Sequence, residues 1–119
     1  MSDETPVLDQ SVLDELRDSV GGDQSFIADL AATYLAEGPE HLDAMQAAVS
    51  AGDPAAIVRP AHTLKSSSAS LGAMRLSHIA REIEFAGRNG ETSGLAERVS
   101  TAREAWAQTV AAMKESGLA

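Results

Sequence analysis

Apolar residues recur every three to four positions along most of this chain, which is the spacing of one face of an α-helix. β-branched residues nowhere alternate with polar ones over a long stretch, so the pattern predicts no β-sheet. Five apolar stripes follow one another. They comprise Val12, Leu13, Leu16 and Val20; Phe26, Ile27, Leu30, Tyr34, Leu42, Met45 and Val49; Ile57, Ala61, Leu64, Ser68 and Leu71; Leu76, Ala80, Ile83 and Ala86; and Leu95, Val99, Ala102, Trp106, Thr109 and Met113. These stripes predict one short helix followed by four longer ones.

Aspartates and glycines mark the ends of the stripes. Asp9, Asp23 and Asp53 each precede a stripe and can accept hydrogen bonds from the free backbone N–H groups at a helix start. Glycines follow the stripes, where they suit the left-handed conformation that ends many helices. Pro39 and Pro60 fall inside the second and third helices, where each removes a backbone hydrogen bond. We therefore expect a kink in the second helix and a bend or a two-part start in the third.

The connections between the stripes are short, and short connections make neighbouring helices antiparallel. The predicted fold class is therefore all-α, an antiparallel up-down four-helix bundle with an additional short N-terminal helix. Residues 1–7 are predicted to form a polar N-terminal arm and residues 8–116 the helical bundle domain. A chain of 119 residues has the size of a single domain.

The charge of the chain excludes several classes of partner. Nine Lys and Arg against eighteen Asp and Glu give a net charge of −9 at pH 7. This balance argues against nucleic acid and against anionic membranes, because both select clustered cations. There is no cysteine for a disulfide or a thiolate. No apolar run approaches the roughly 20 residues that span a bilayer, and the acidic start does not resemble a secretory signal. We expect a soluble, cytoplasmic protein, and a monomer because the outer helix faces are polar.

The third predicted helix carries a histidine on its solvent side. At about 100° per residue, His62 lies more than a quarter-turn from the apolar stripe of that helix. Its surface neighbours one and two turns further along are Lys65, Ser66 and Ala69. A neutral imidazole is a nucleophile near pH 7, a nearby cation can stabilise phosphoryl oxygens, and small side chains leave the ring accessible. On these residues alone, a solvated surface histidine is the more common explanation.

The longer sequence around His62 is more specific. Residues 62–73 read HTLKSSSASLGA. This strongly resembles the signature of histidine-containing phosphotransfer (HPt) domains of two-component phosphorelays, which is approximately His-x-Leu-Lys-Gly-Ser-x-x-x-Leu-Gly. The helix order, and the segment IEFAGR at residues 83–88, extend the resemblance from about Leu8 to Met113. One position departs from the pattern, because Ser66 stands where the family most often has glycine.

The resemblance implies a role for each matching residue. His62 would accept a phosphoryl group on Nε2 from a receiver-domain aspartate and pass it to another receiver aspartate. Lys65 would stabilise the phosphoryl group, and Ser66 and Ala69 would keep the approach clear. Glu84 matches a family position near the ring, where it would accept a hydrogen bond from Nδ1–H and so fix the tautomer. A solvated surface glutamate is the open alternative for Glu84.

A docking face for the partner is also expected near His62. Val58 and Ala69 would form its apolar part, with Ser66 giving access, and Arg59 and Arg88 would extend its positive charge. Ordinary surface exposure is the alternative for the apolar and charged members of this face. The implied partners are response-regulator receiver domains and a hybrid histidine kinase.

Other chemistry finds little support in the sequence. There is no Gly-rich phosphate loop and no kinase signature, so we expect a phosphocarrier without its own ATP site rather than an enzyme. Any Mg²⁺ is expected on the partner receiver domain, and no cofactor on this chain. His41 with Glu37, and His78 with Glu82, are spaced four residues apart, and we interpret both as surface pairs rather than metal ligands, so no metal site is predicted.

Two alternatives to a free-standing phosphotransfer protein stay open. The first is a helical-bundle adaptor that is not phosphorylated and uses the same face only to dock receiver or kinase domains. The second is a phosphohistidine domain that belongs to a larger hybrid or chemotaxis kinase.

Overall fold

The structure, a computed structural model, describes residues 5–118 and is all-helical over that range, as predicted. Its helices are α1 (Gln10–Ser19), α2 (Gln24–Ser50), α3 (Pro54–Ser70), α4 (Met74–Arg88) and α5 (Leu95–Glu115). The first four residues of the predicted polar arm lie outside the described residues. None of the helices in the described range is long and apolar enough to cross a lipid bilayer.

The first three helices begin at aspartates, as predicted. The side chains of Asp9, Asp23 and Asp53 each accept a hydrogen bond from a backbone N–H in the first turn of the helix that follows. Both internal prolines are accommodated, because α2 continues through Pro39 and α3 through Pro60 as single helices. A proline removes only one backbone hydrogen bond, and packing on either side of it can offset that loss. The two-part start of α3 is therefore not observed, and the kink in α2 stays a prediction.

The core lies between the four longer helices, since α2 packs on α3, α3 on α4, α4 on α5 and α5 back on α2. Fully buried side chains from all four helices meet there, including Leu42, Met45, Ile57, Leu64, Leu76, Ile83, Val99 and Met113. The assignment of Phe26 to the apolar stripe of α2 is wrong, because Phe26 is 48% exposed. Consecutive helix residues point about 100° apart, and its neighbour Ile27 takes the buried position.

The N-terminal segment is tied to the turn between α3 and α4. The N–H of Asp9 donates to the carbonyl of Gly72 over 2.7 Å, and the N–H of Arg75 donates to the carbonyl of Pro6 over 3.0 Å. The Arg75 side chain donates to the carbonyl of Thr5. Gly72 has φ +81°, and a Cβ there would lie 2.8 Å from the Asp9 carbonyl oxygen, so only glycine fits. These contacts hold the start of α1 against the end of the bundle where α3 joins α4.

Helices α3 and α4 approach each other closely at Gly87. A Cβ on Gly87 would lie 2.6 Å from Cγ2 of Ile57 and 2.8 Å from the carbonyl oxygen of Pro54, which leaves no room for a side chain. Further along the same interface, the hydroxyl of Ser77 donates to the backbone carbonyl of Lys65 over 2.9 Å. These contacts set the separation of the two helices and so position the side chains that meet across it.

Candidate functional site

Helix α3 presents His62 on its outer face. Ala61 and Leu64 are fully buried, so the helix turns His62 toward solvent, and 52% of its side chain is exposed. Ser66, one turn further on, is exposed, and Ala69 is half-buried. Neither side chain is large enough to cover the ring, which is therefore accessible to a second protein.

Glu84 of α4 reaches the ring from the inner side. Its Oε2 lies 3.0 Å from Nδ1 of His62, and the residue is only 6% exposed. An ionised carboxylate can only accept hydrogen bonds, so Nδ1 must carry the proton and donate to Glu84. In a neutral imidazole this leaves the lone pair on Nε2. Glu84 is thus a buried partner of the ring rather than a solvated surface residue.

Two cations share the carboxylate of Glu84 with His62. Nζ of Lys65 lies 2.7 Å from Oε1. Arg88 donates to Oε2 from Nη2 over 2.7 Å and from Nε over 3.2 Å. Burial by itself raises the pKa of Glu84, but the hydrogen bonds from Lys65, Arg88 and His62 and the charge of Lys65 outweigh burial and lower this pKa to about 2. Glu84 is therefore ionised at neutral pH and can only accept the hydrogen bond that joins it to Nδ1.

The predicted docking residues come from two helices. Val58, Arg59, Ser66 and Ala69 lie on α3, before and after His62, and Arg88 lies on α4. Val58 is half-buried against α4, whereas Arg59 is exposed. Arg88 is exposed over 58% of its side chain but is also bonded to Glu84. Arg88 therefore belongs to the cluster beneath the ring as well as to the surface around it.

His62 also borders a groove of about 500 Å³ between α2 and α3. Small hydroxyl side chains form the α3 side of this groove, namely Thr63, Ser66, Ser67 and Ser70. The ring thus stands between this groove on the α2 side and the cluster of Lys65, Glu84 and Arg88 on the α4 side.

The described part of the chain holds no group of three or more His, Asp or Glu side chains placed to bind a metal ion. Nε2 of His78 lies 3.8 Å from Oε2 of Glu82, at the surface. That distance fits the surface pair predicted for these two residues.

Sequence reasoning missed two residues that shape the site, Ser77 and Gly87. A signal for Gly87 was present, because it follows Ile83 by four residues and so lies on the buried stripe of α4. A glycine on a buried helix face indicates that another backbone approaches closely. Ser77 gave no comparable signal, since its hydroxyl bonds to a carbonyl of another helix.

The comparison with known proteins agrees with this geometry. The sequence profile of the Hpt domain family matches residues 29–116, well over half of the chain. The chain belongs to the Hpt domain family. A solved structure similar to this Hpt domain is that of histidine-containing phosphotransfer protein B (HptB) from Pseudomonas aeruginosa PAO1. The two are 26% identical with a TM-score of 0.85, and the match covers 95% of this chain and 96% of that one.

No curated protein matches this chain closely enough to count as a relative. Hpt domains are phosphocarriers rather than enzymes in the usual sense, and they interact with receiver domains and kinases of two-component systems. The family and the structural similarity together support histidine phosphotransfer in a phosphorelay as the general function of this Hpt domain.

Proposed function

We propose that His62 accepts a phosphoryl group on Nε2 from the aspartyl phosphate of one receiver domain and passes it to the aspartate of another. The observation that carries this proposal is the hydrogen bond from Nδ1 of His62 to the buried carboxylate of Glu84. It leaves the Nε2 lone pair on a ring whose side chain is half exposed. An exposed, oriented nucleophile is what a phosphoryl carrier needs.

The transfer step follows from the same hydrogen bond. The Nε2 lone pair attacks phosphorus, the bond from phosphorus to the aspartyl oxygen breaks, and its electron pair stays on the aspartate as a carboxylate. Because Nδ1 keeps its proton, positive charge develops on the ring of His62 as the N–P bond forms. The ionised Glu84 carboxylate stabilises that charge, and its position is fixed before the reaction begins. The second transfer is the reverse, with a new receiver aspartate as the attacking group.

The remaining predicted residues have roles in the same proposal. Lys65 stabilises the phosphoryl oxygens, which requires its Nζ to turn from Glu84 toward the group bound to Nε2. The docking face of Val58, Arg59, Ser66, Ala69 and Arg88 contacts the receiver. The receiver supplies Mg²⁺, and a hybrid histidine kinase starts the relay, so this chain acts as a carrier without an ATP site. We further propose that this Hpt domain acts as a monomer in the cytoplasm.

Phosphotransfer from a receiver tests the proposal. The protein is mixed with receiver domains phosphorylated on aspartate, and acid-labile, base-stable phosphate is followed with time. The wild type and the matched controls His41→Gln and His78→Gln should gain label, and His62→Gln should not. Label on His62→Gln would assign the phosphoryl group to another residue. No label on the wild type with any receiver would favour the adaptor alternative.

The role of Lys65 is tested in the same assay. Lys65→Ala should slow transfer or shorten the lifetime of the phosphohistidine, since a cation that stabilises the phosphoryl oxygens is lost. The helical circular dichroism should not change, because 29% of the Lys65 side chain is exposed and the residue is outside the core. Equal rates and lifetimes for the two proteins would remove this role.

A further inference from the structure

The charges beneath His62 are not balanced one to one. Glu84 carries one negative charge, and both Lys65 and Arg88 contact it. The two cations contact different oxygens of the Glu84 carboxylate, Lys65 at Oε1 and Arg88 at Oε2. His62 donates to the same Oε2 as Arg88. If one of the two cations moves away from Glu84, the other still provides a positive charge beside the carboxylate.

The proposed role of Lys65 requires that it leave. A phosphoryl group on Nε2 of His62 brings negative charge to the outer side of the ring, whereas Nζ of Lys65 now lies 2.7 Å from Oε1 on the inner side. In the proposed role, Lys65 exchanges this ion pair for contact with the phosphoryl oxygens. A buried carboxylate that loses its only cation is strongly destabilised. Until positive charge has developed on the ring of His62, Glu84 therefore needs a second cation that stays in place.

We infer that Arg88 is a positioning residue that stays bound to Glu84 as its permanent counter-ion and thereby frees Lys65 to follow the phosphoryl group. This inference rests on the proposed function of His62. Arg88 acts through Glu84 and is not itself required to touch the phosphoryl group. With Arg88 in place, Glu84 keeps both its charge and its hydrogen bond to Nδ1 throughout the transfer.

Two features suit Arg88 to this task. It lies four residues after Glu84 on α4, so helix geometry keeps the two side chains together whatever happens on α3. It also donates two hydrogen bonds to one oxygen from a rigid, planar guanidinium. Lys65 comes from the other helix and has a flexible stem and a single point of contact, which suits a group that moves.

A double-mutant cycle tests the coupling. The rates of phosphoryl uptake from a phosphorylated receiver are measured for the wild type, Lys65→Ala, Arg88→Ala and the double variant. Lys65→Ala should slow the wild type about tenfold or more, the scale of losing one cation or donor at a developing anion. In the Arg88→Ala background, Lys65→Ala should lower the rate of phosphoryl uptake by about twofold or less. Without Arg88, Lys65 stays in its ion pair with Glu84 and contributes little to transfer. Equal factors in the two backgrounds would overturn the inference.

A second measurement needs no phosphoryl transfer. Nitrogen-15 shifts of the His62 ring at alkaline pH report which nitrogen carries the proton. The wild type and Lys65→Ala should both show the proton on Nδ1, because Arg88 still pairs with Glu84. Adding Arg88→Ala to Lys65→Ala should give a larger share on Nε2, and adding Arg88→Lys instead should recover part of the difference. Arg98→Ala is the matched control, since Arg98 pairs with Glu82 and does not contact Glu84. It should match the wild type.

The two measurements separate this inference from the proposed function. If the wild type takes up no label from any receiver, the proposed function of His62 fails, and the ring spectra still decide whether Arg88 positions Glu84. If the wild type takes up label but adding Arg88→Ala to Lys65→Ala leaves the His62 ring spectrum unchanged, the inference about Arg88 fails alone.

Discussion

Replacing Glu84 by glutamine removes a buried charge while keeping the shape of the side chain, so it isolates what that charge contributes to stability. The pKa of Glu84 is lowered from 4.5 to about 2 by the hydrogen bonds and charge of its neighbours, against the opposing effect of burial. One pKa unit corresponds to about 1.4 kcal/mol, so the ionised carboxylate stabilises the folded state by at most about 3 kcal/mol.

The sign of the pH dependence follows from the direction of that shift. A carboxyl group with a lowered pKa in the folded state contributes its full stability above its unfolded pKa of 4.5 and loses it as the pH falls toward about 2. The linkage between proton binding and folding then predicts that the free energy of unfolding falls by about 2 kcal/mol between neutral pH and about pH 3. Glu84→Gln has no such group, so its stability should fall less with acid than that of the wild type.

Denaturant unfolding of both proteins, at about pH 7 and about pH 3, measures this difference. The gap in free energy of unfolding between wild type and Glu84→Gln should shrink by about 2 kcal/mol at the acid pH. Asp9 also has a lowered pKa, mainly through its side-chain hydrogen bond with Ser11, but it is present in both proteins and cancels. Glu82→Gln is the matched control, because the ion pairs of Glu82 are exposed and worth less than about 1 kcal/mol. A gap between wild type and Glu84→Gln that is the same at both pH values would refute the reasoning.

Two further changes test the packing around the site. Gly87→Ala should gain up to about 1 kcal/mol of helix propensity but cost about 1–3 kcal/mol by overpacking, because its Cβ would meet Ile57 and the carbonyl of Pro54. Thermal unfolding should show a net loss of stability, and the His62 ring spectrum should change as α4 is displaced; an unchanged melting temperature and spectrum would contradict this. Burial raises the pKa of Tyr34 to about 12, so stability should fall as the pH rises above the ordinary value of 10. Tyr34→Phe should reduce that alkaline loss while costing about 1 kcal/mol at neutral pH, and an equal alkaline loss in both proteins would count against it.

The helices could be predicted from the sequence because their causes are local. The spacing of Ile57, Ala61 and Leu64 defines one helix face, and all three are fully buried in the structure. The side chain of Asp53 accepts a hydrogen bond from the backbone N–H of Ala56, in the first turn of the same helix. This contact depends only on residues within three positions of Asp53. The exposure of His62 follows from the same periodicity, because His62 lies more than a quarter-turn from the buried face of this helix.

The sequence did not determine which side chain is buried, or which hydrogen bond forms, where local rules allow two outcomes. Phe26 and Ile27 are both apolar and adjacent, and only contact with the rest of the bundle decides that Ile27 is buried. Ser68 shows the same limit, because a helical serine can always bond to a carbonyl of its own helix. In the structure its hydroxyl is instead 2.8 Å from the hydroxyl of Tyr34 on α2.

By itself, then, the sequence determined the helical class and an outward-facing His62 next to Lys65, because each depends on residues within two turns of one helix. Only the tertiary structure decided that Glu84 is buried and charged. That result depends on α4 lying against α3 at Gly87, which brings Glu84 to His62, 22 residues away along the chain. A carboxylate in water is solvated wherever it lies, whereas a buried one stays ionised only where cations or hydrogen-bond donors contact it, as Lys65, Arg88 and His62 do here.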